Sequence, residues 1–235
     1  MARAIIDVII PAYNEELSIA KVIRDIPKDL VRNIIVCNNN SSDATAVVAS
    51  TAGAIVADEP SPGYGNACLR GMAYIEALPY DEKPDILVFM DGDYSDYGEE
   101  MYELVKPILD DGMEMVIGSR ALGRRERGSM TTPQVFGNWL STTLIRWLYG
   151  YRFTDLGPYR AIRYPSLLAL KMADRNFGWT VEMQVKAAKH KLKTTEIAVN
   201  YRKRIGTSKV SGTIKGSISA GYKILWTIGK LWLNN

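Results

Sequence analysis

Histidine, cysteine and long apolar runs are scarce in this chain, and each scarcity removes a class of function. The single histidine, His190, stands among Lys189, Lys191 and Lys193, the setting of a solvated helix end. That leaves no Ser/His or Cys/His nucleophile system. Two cysteines, Cys37 in an apolar run and Cys68 in a helix-like one, form no metal-type Cys/His spacing and suit a reducing compartment. No stretch of about 18 uncharged apolar residues occurs, so a membrane-spanning helix is not expected. Near Met1 there is no basic head, apolar stretch and small-residue cleavage site, and the expectation is a protein kept in the cytoplasm. Excess charge is small as well: 29 Lys and Arg against 26 Asp and Glu give a net +3. That balance is too even for a protein that tracks nucleic-acid phosphates.

What is present is an ordinary globular composition, 235 residues that are 47% hydrophobic and 23% charged, enough for one domain with a sizeable core. The 19 glycines and 10 prolines are scattered, which excludes collagen-like or low-complexity architecture. Residues 5–10 form a β-branched run closed by Pro11, and Asn14, Glu15 and Glu16 lead into a helical pattern ending near Ile26. The strand, loop, helix unit recurs at 33–37, 38–43 and 44–52. A short strand at 54–57, a turn-rich loop at 60–65, a helix at 66–78, a linker at 79–84 and an apolar strand at 86–90 come next. This alternation predicts βαβ crossovers and a mostly parallel sheet covered on both faces. Such sheets bind ligands beyond the carboxyl ends of their strands, which singles out the loops 11–15, 38–43 and 91–96. The second half predicts a helix at 99–110, a strand at 115–118, an Arg/Gly-rich stretch at 120–128, and helices at 135–149, 165–173 and 181–191. A strand near 195–201 and a polar loop at 202–212 complete it. No internal repeat appears, and no linker is long enough to separate two independent domains.

The strongest chemical signal is Asp91-Gly92-Asp93 after the apolar strand. Two carboxylates two residues apart on a turn present hard oxygen ligands to Mg²⁺ or Mn²⁺, with a substrate diphosphate supplying others. Asp and Gly also form ordinary turns, and the position after a buried strand is what favours the ligand reading. Tyr13 in the loop after the first strand offers a ring to stack on a base, while Pro11 and Asn14 there also serve to stop a strand and cap a helix. The Asn38 to Asp43 run is either an Asx-rich turn or a hydrogen-bonding floor for a base. Gly63-Tyr64-Gly65 lacks the third glycine and the position of a dinucleotide fingerprint, so no NAD site is expected. Basic residues gather at Arg120, Arg124, Arg125 and Arg127, and again at Arg202, Lys203, Arg204 and Lys209, with Arg160 and Arg163 between. Interleaved with glycine and serine, they suit wrapping a phosphate.

In this order the loops resemble the family-two glycosyltransferases of the GT-A fold, particularly the branch of dolichyl- and polyprenyl-phosphate sugar synthases. The segments that carry the resemblance begin at Val8, Asn38, Gly63, Met90, Gly118, Asp155, Trp179 and Gly206, and they span nearly the whole chain. It implies an α/β, Rossmann-like, mostly parallel sheet flanked by helices over residues 1–212, with an amphipathic C-terminal helix over 213–235. It further implies an enzyme that moves a sugar from a nucleotide diphosphate donor with inversion, assisted by Mg²⁺ or Mn²⁺. Pro11, Tyr13, Asn14 and Glu15 would hold the nucleotide with Asn38, Asn39 and Gly65. Asp91 and Asp93 would hold the metal, Arg120 would face the acceptor phosphate, and Arg160 would also bind substrate. Arg202, Arg204, Ser208 and Lys209 would close over the reacting groups. Relatives often carry Asp where this chain has Asn38 or Asn39. Asn donates as well as accepts, which leaves uracil and guanine both open.

Transfer to a hydroxyl requires a general base, whereas a phosphate monoester is already an anion. Many arginines and no obvious base, with Asp96, Asp155 and Glu182 as the candidates, favour a polyprenyl phosphate over a sugar hydroxyl. A nucleotidyltransferase and a noncatalytic nucleotide-sugar binder are the readings from other classes. From Thr213 to Leu233, Lys215, Lys223 and Lys230 oppose Ile214, Ile224, Leu225, Ile228 and Trp232 on a helical wheel. Such a helix either lies at a membrane interface at the cytoplasmic face or packs on the domain or on another subunit, so peripheral membrane contact and a homo-oligomer both stand.

Overall fold

A computed structural model describes residues 4–207 and 214–233. Seven strands form one sheet in the order β3-β2-β1-β4-β6-β5-β7. They are β1 Ile6–Ala12, β2 Asn33–Asn38, β3 Ile55–Asp58, β4 Ile86–Phe89, β5 Met115–Ser119, β6 Arg160–Arg163 and β7 Thr194–Ala198. All neighbours are parallel except β6, which runs antiparallel to both β4 and β5. The helices are α1 Ile19–Asp25, α2 Thr45–Thr51, α3 Tyr64–Glu76, α4 Met101–Asp110, α5 Thr132–Tyr149, α6 Tyr164–Leu170, α7 Trp179–Lys189 and α8 Ile214–Leu233.

Alternation along β1 sends Ile6, Val8 and Ile10 to one apolar core with α1, α2 and α4, and Ile9 to a second core with α3, α5, α6 and α7. The sheet is thus buried on both faces, which accounts for its near-continuous apolar strands. Pro11 does not end β1 as expected: pairing with β2 continues to Ala12, while pairing with β4 stops at Ile9. Beyond Ile9 the strand is an edge, where a residue without an N–H is tolerated.

The segment of Arg160 and Arg163, to which the sequence assigns no element, is the strand β6. Its two charges hide a two-residue apolar centre, and the guanidiniums are satisfied inside the protein. Arg163 donates to the carbonyls of Met113 and Ile108, and Arg160 to those of Leu156, Gly157 and Thr180. Helix α5 starts earlier than its periodicity suggested because Thr131 and Gln134 form a capping box.

Helix α8 packs against α5 and α7. Ile228 is buried, the Tyr149 hydroxyl donates to its carbonyl at 2.6 Å, and Lys223 pairs with Asp174 at 2.9 Å. Among the described residues no helix is long and apolar enough to cross a membrane.

Candidate active site

Beyond the carboxyl ends of β1, β2 and β4 lies a cavity of about 430 Å³, lined by Pro11, Tyr13, Glu15, Asn39, Asp91 and Asp93 among others. It runs into a second cavity of about 320 Å³ between the metal-type motif and the helices α5 and α8. Tyr64, Asp91, Asp93, Phe177 and Arg204 border both, so the two form one groove with the Asp pair at its waist.

Each Asp is oriented by a hydroxyl. The Tyr64 hydroxyl donates to Asp91 Oδ1 at 3.0 Å, and Ser95 donates through its N–H and its hydroxyl to Asp93 Oδ1 at 2.9 and 2.5 Å. Arg204 then spans the groove, 3.1 Å from Asp93 Oδ2 and 3.1 Å from Glu15 Oε1. Burial, and then the neighbouring charge of Asp93, push the Asp91 carboxyl up to about 7. A buried carboxyl that resists ionising beside a second carboxylate is a donor set that a hard divalent cation relieves. Among the described residues no three His, Cys, Asp or Glu side chains converge on one point. A metal held by Asp91 and Asp93 would therefore take its other ligands from a bound diphosphate and water.

The raised Asp91 carboxyl sets a sign. Between the ordinary Asp value near 4 and about 7 the folded protein holds a proton that the unfolded chain has lost, so this group makes metal-free stability fall as pH rises across that window. Metal binding competes with the same proton. Stabilisation by Mn²⁺ with a nucleoside diphosphate should therefore grow from pH 6 to pH 8, and Asp91→Asn should flatten the metal-free profile. Melting temperatures of both proteins across that range check it.

The other expected site residues divide sharply. Tyr13, Pro11, Glu15 and Asn39 border the groove, with Tyr13 45% exposed and its ring available for stacking. Asn39 is engaged locally, donating to the carbonyls of Glu59 and Ser61 and accepting from the Gly63 N–H. Asn38 instead donates to Asp58, and Asn14, at φ 53°, accepts from Ser42; neither borders the groove. Gly65 also stands back: a Cβ there would collide with the backbone of Asp174 and Arg175, so this glycine serves helix packing. Arg160 is fully buried and lies off the groove, with burial lowering its guanidinium to about 10.

Arg120 borders the second cavity but is locked to buried Asp155, donating from Nε at 2.8 Å, from NH2 at 2.7 Å and from its own N–H at 2.7 Å. Arg202 does not reach the groove. It pairs with Asp25 at 2.8 Å, lies over the Tyr94 ring at 3.3 Å and donates to the carbonyls of Tyr94 and Asp96. It thereby pins the loop after Asp93. Ser208 and Lys209 lie outside the described residues.

None of the three candidate bases faces the groove. Asp155 is spent on Arg120, and Glu182 accepts from the N–H groups of Ala173 and Asp174 and pairs with Lys186. Asp96 is 1% exposed behind the Asp pair, held well above the usual carboxylate range by burial and by Asp91 and Asp93. Sequence reasoning finds Tyr64 only within a glycine motif and gives no sign of Phe177, which reaches the groove from the loop before α7.

The model for "Glycosyl transferase family 2" matches residues 7–169. An uncharacterised glycosyltransferase of Mycobacterium tuberculosis is 34% identical over 225 residues, 94% of this chain and 96% of its own. A UDP-N-acetylglucosamine–dolichyl-phosphate N-acetylglucosaminyltransferase of Methanococcus voltae is 27% identical over 97% of this chain and 96% of its own. Among solved structures, glucosyl-3-phosphoglycerate synthase of Mycobacterium tuberculosis, in complex with Mn²⁺, UDP-glucose and glycerol 3-phosphate, shares the fold at a TM-score of 0.73. It is 22% identical, with 97% of this chain and 80% of that one covered.

Proposed function

Because this chain belongs to glycosyl transferase family 2 and is a glycosyltransferase, we propose that it transfers a sugar, with inversion, from a nucleotide diphosphate donor to a polyprenyl phosphate. The observation that carries the choice of acceptor is the groove's inventory of acids. Among the described residues its carboxylates are Glu15, Asp91 and Asp93, of which Glu15 and Asp93 are tied to Arg204 and Asp91 and Asp93 form the metal-type pair. No carboxylate is left to deprotonate a hydroxyl, and a phosphate monoester needs no base because it carries about −1.5 to −2 charge at pH 7. Arg120 and Arg204 supply the cations such an acceptor requires.

Tyr13 stacks on the base, and Asn39 holds the backbone around it in place. Asp91 and Asp93 would hold a divalent ion, whose charge would neutralise the departing diphosphate. Arg120, immobilised by Asp155, and Arg204, pivoting from Glu15, orient the acceptor phosphate so that its oxygen approaches the anomeric carbon opposite the leaving group. The donor assignment is tested by thermal stabilisation with UDP, GDP, CDP and ADP, each with and without Mn²⁺. One diphosphate should stabilise, and only with metal; stabilisation by none would refute the donor site.

The lipid half of the proposal rests on the apolar wall of the acceptor-side cavity, where Pro133 and Gly137 of α5 face Ala220, Gly221 and Ile224 of α8 beside the arginines. A Cβ on Gly221 would meet nothing within 4 Å. A Cβ at this mid-helix position therefore gains about 1 kcal/mol of helix propensity without a clash, and the rest of a leucine side chain has the cavity to enter. Gly221→Leu should keep or raise the melting temperature and leave donor binding intact. It should raise the KM for a long-chain polyprenyl phosphate at least tenfold, while a short-chain analogue is spared.

A further inference from the structure

Helix α5 carries a stripe that no other element covers among the described residues. Val135, Phe136, Trp139 and Trp147 are all exposed, Trp147 to 77%, and the Phe136 and Trp139 rings lie 5.7 Å apart. Helix α8, packed on α5, leaves Ile218, Tyr222 and Trp226 exposed in turn. Large apolar side chains exposed in such numbers mark a contact surface.

Beside Trp139 opens a cavity of about 340 Å³ that lies apart from the Asp pair, with Arg125, Arg146 and Arg152 around it. None of these three guanidiniums pairs with a carboxylate among the described residues, whereas Arg32, Arg120, Arg202 and Arg204 all do. Neither α5 nor α8 contains an acid, and no Asp or Glu occurs after Glu196 anywhere in the chain. A second copy presenting this same face would set arginine against arginine. An anionic surface with an apolar interior meets both features, since Trp settles at the boundary of headgroups and acyl chains while arginine forks match phosphate oxygens.

We propose that the exposed face of α5 docks on an anionic lipid bilayer, and that Arg125, Arg146 and Arg152 receive one lipid phosphate headgroup in the cavity beside Trp139. This cavity shares Met130 and Asn138 with the acceptor-side cavity, and its one carboxylate, Asp155, is already paired with Arg120; its assignment does not depend on which acceptor the groove takes.

Sedimentation with vesicles tests it, using phosphatidylcholine alone and phosphatidylcholine mixed with phosphatidylglycerol. The intact chain should partition preferentially to the mixed vesicles. The double variant Arg146→Gln, Arg152→Gln should lose about fivefold in partitioning for each arginine removed, and Arg125→Gln should show the same single step independently. Trp147→Ala should weaken binding to both kinds of vesicle. All four side chains are exposed, so the melting temperature should not move. Indifference to phosphatidylglycerol, or undiminished binding by the arginine variants, overturns the proposal. So does saturable binding of inorganic phosphate at the arginines without vesicle binding, or a dimer that Trp147→Ala disperses.

Discussion

Asp93→Ala should abolish transfer, lowering kcat by about 10³ to 10⁴ at saturating donor, and should remove the Mn²⁺ dependence of nucleoside diphosphate stabilisation. The magnitude comes from losing several kcal/mol of charge neutralisation on the leaving group, at about 1.4 kcal/mol per tenfold. The fold should survive. Asp93 sits on a turn at the cleft, and its strongest internal contacts are the Ser95 donors and Arg204. Arg204 keeps Glu15 as a partner in the variant, so no charge is stranded. Rates with a nucleotide sugar, together with melting curves, separate the catalytic loss from any structural one. Retained activity would remove the metal pair from the account.

Asp155→Ala should cost stability rather than chemistry alone. The Asp155 carboxylate is 1% exposed and takes three hydrogen bonds from Arg120, so the substitution leaves a largely buried guanidinium without its partner. Breaking a buried pair from one side costs about 3 to 5 kcal/mol, which for a domain of this size lowers Tm by about 10 °C. The double variant Arg120→Met, Asp155→Leu should recover much of that stability, because an apolar pair of similar volume avoids both desolvation penalties. It should not recover transfer, since the cation proposed to face the acceptor is gone. Denaturant melts and transfer rates on the two variants check this together. A Tm loss in Asp155→Ala of only a degree or two would contradict the reading of Arg120 as an immobilised cation.

These two sites differ in how far the sequence revealed them. The Asp91-Gly92-Asp93 turn was legible because a four-residue buried strand directly precedes it, and an open parallel sheet gathers its ligand loops at the carboxyl ends of such strands. The parallel core β1 to β4 was legible for the same reason, through its βα alternation. The strand β6 was not, because its ends are arginines whose donors are taken up by carbonyls that sequence spacing cannot place. That error carried over to Arg160, assigned to substrate on the strength of charge and found buried. Arg202 and Arg204 are two residues apart in one loop, yet one stacks on Tyr94 behind the site and the other bridges Glu15 and Asp93 within it. Only tertiary contacts could separate them. Asp155 and Glu182, weighed as bases, are consumed by partners that no local pattern announces.

Transfer to a phosphate oxygen is the central claim, and product analysis tests it most directly. The protein would be incubated with the nucleotide sugar whose diphosphate stabilises it, Mn²⁺ and undecaprenyl or dolichyl phosphate, and the products would be identified by mass spectrometry. The account predicts a glycosyl phospholipid of inverted anomeric configuration and one released nucleoside diphosphate per sugar moved. Sugar found instead on the hydroxyl of a soluble acceptor, with the lipid phosphate unchanged, would contradict it.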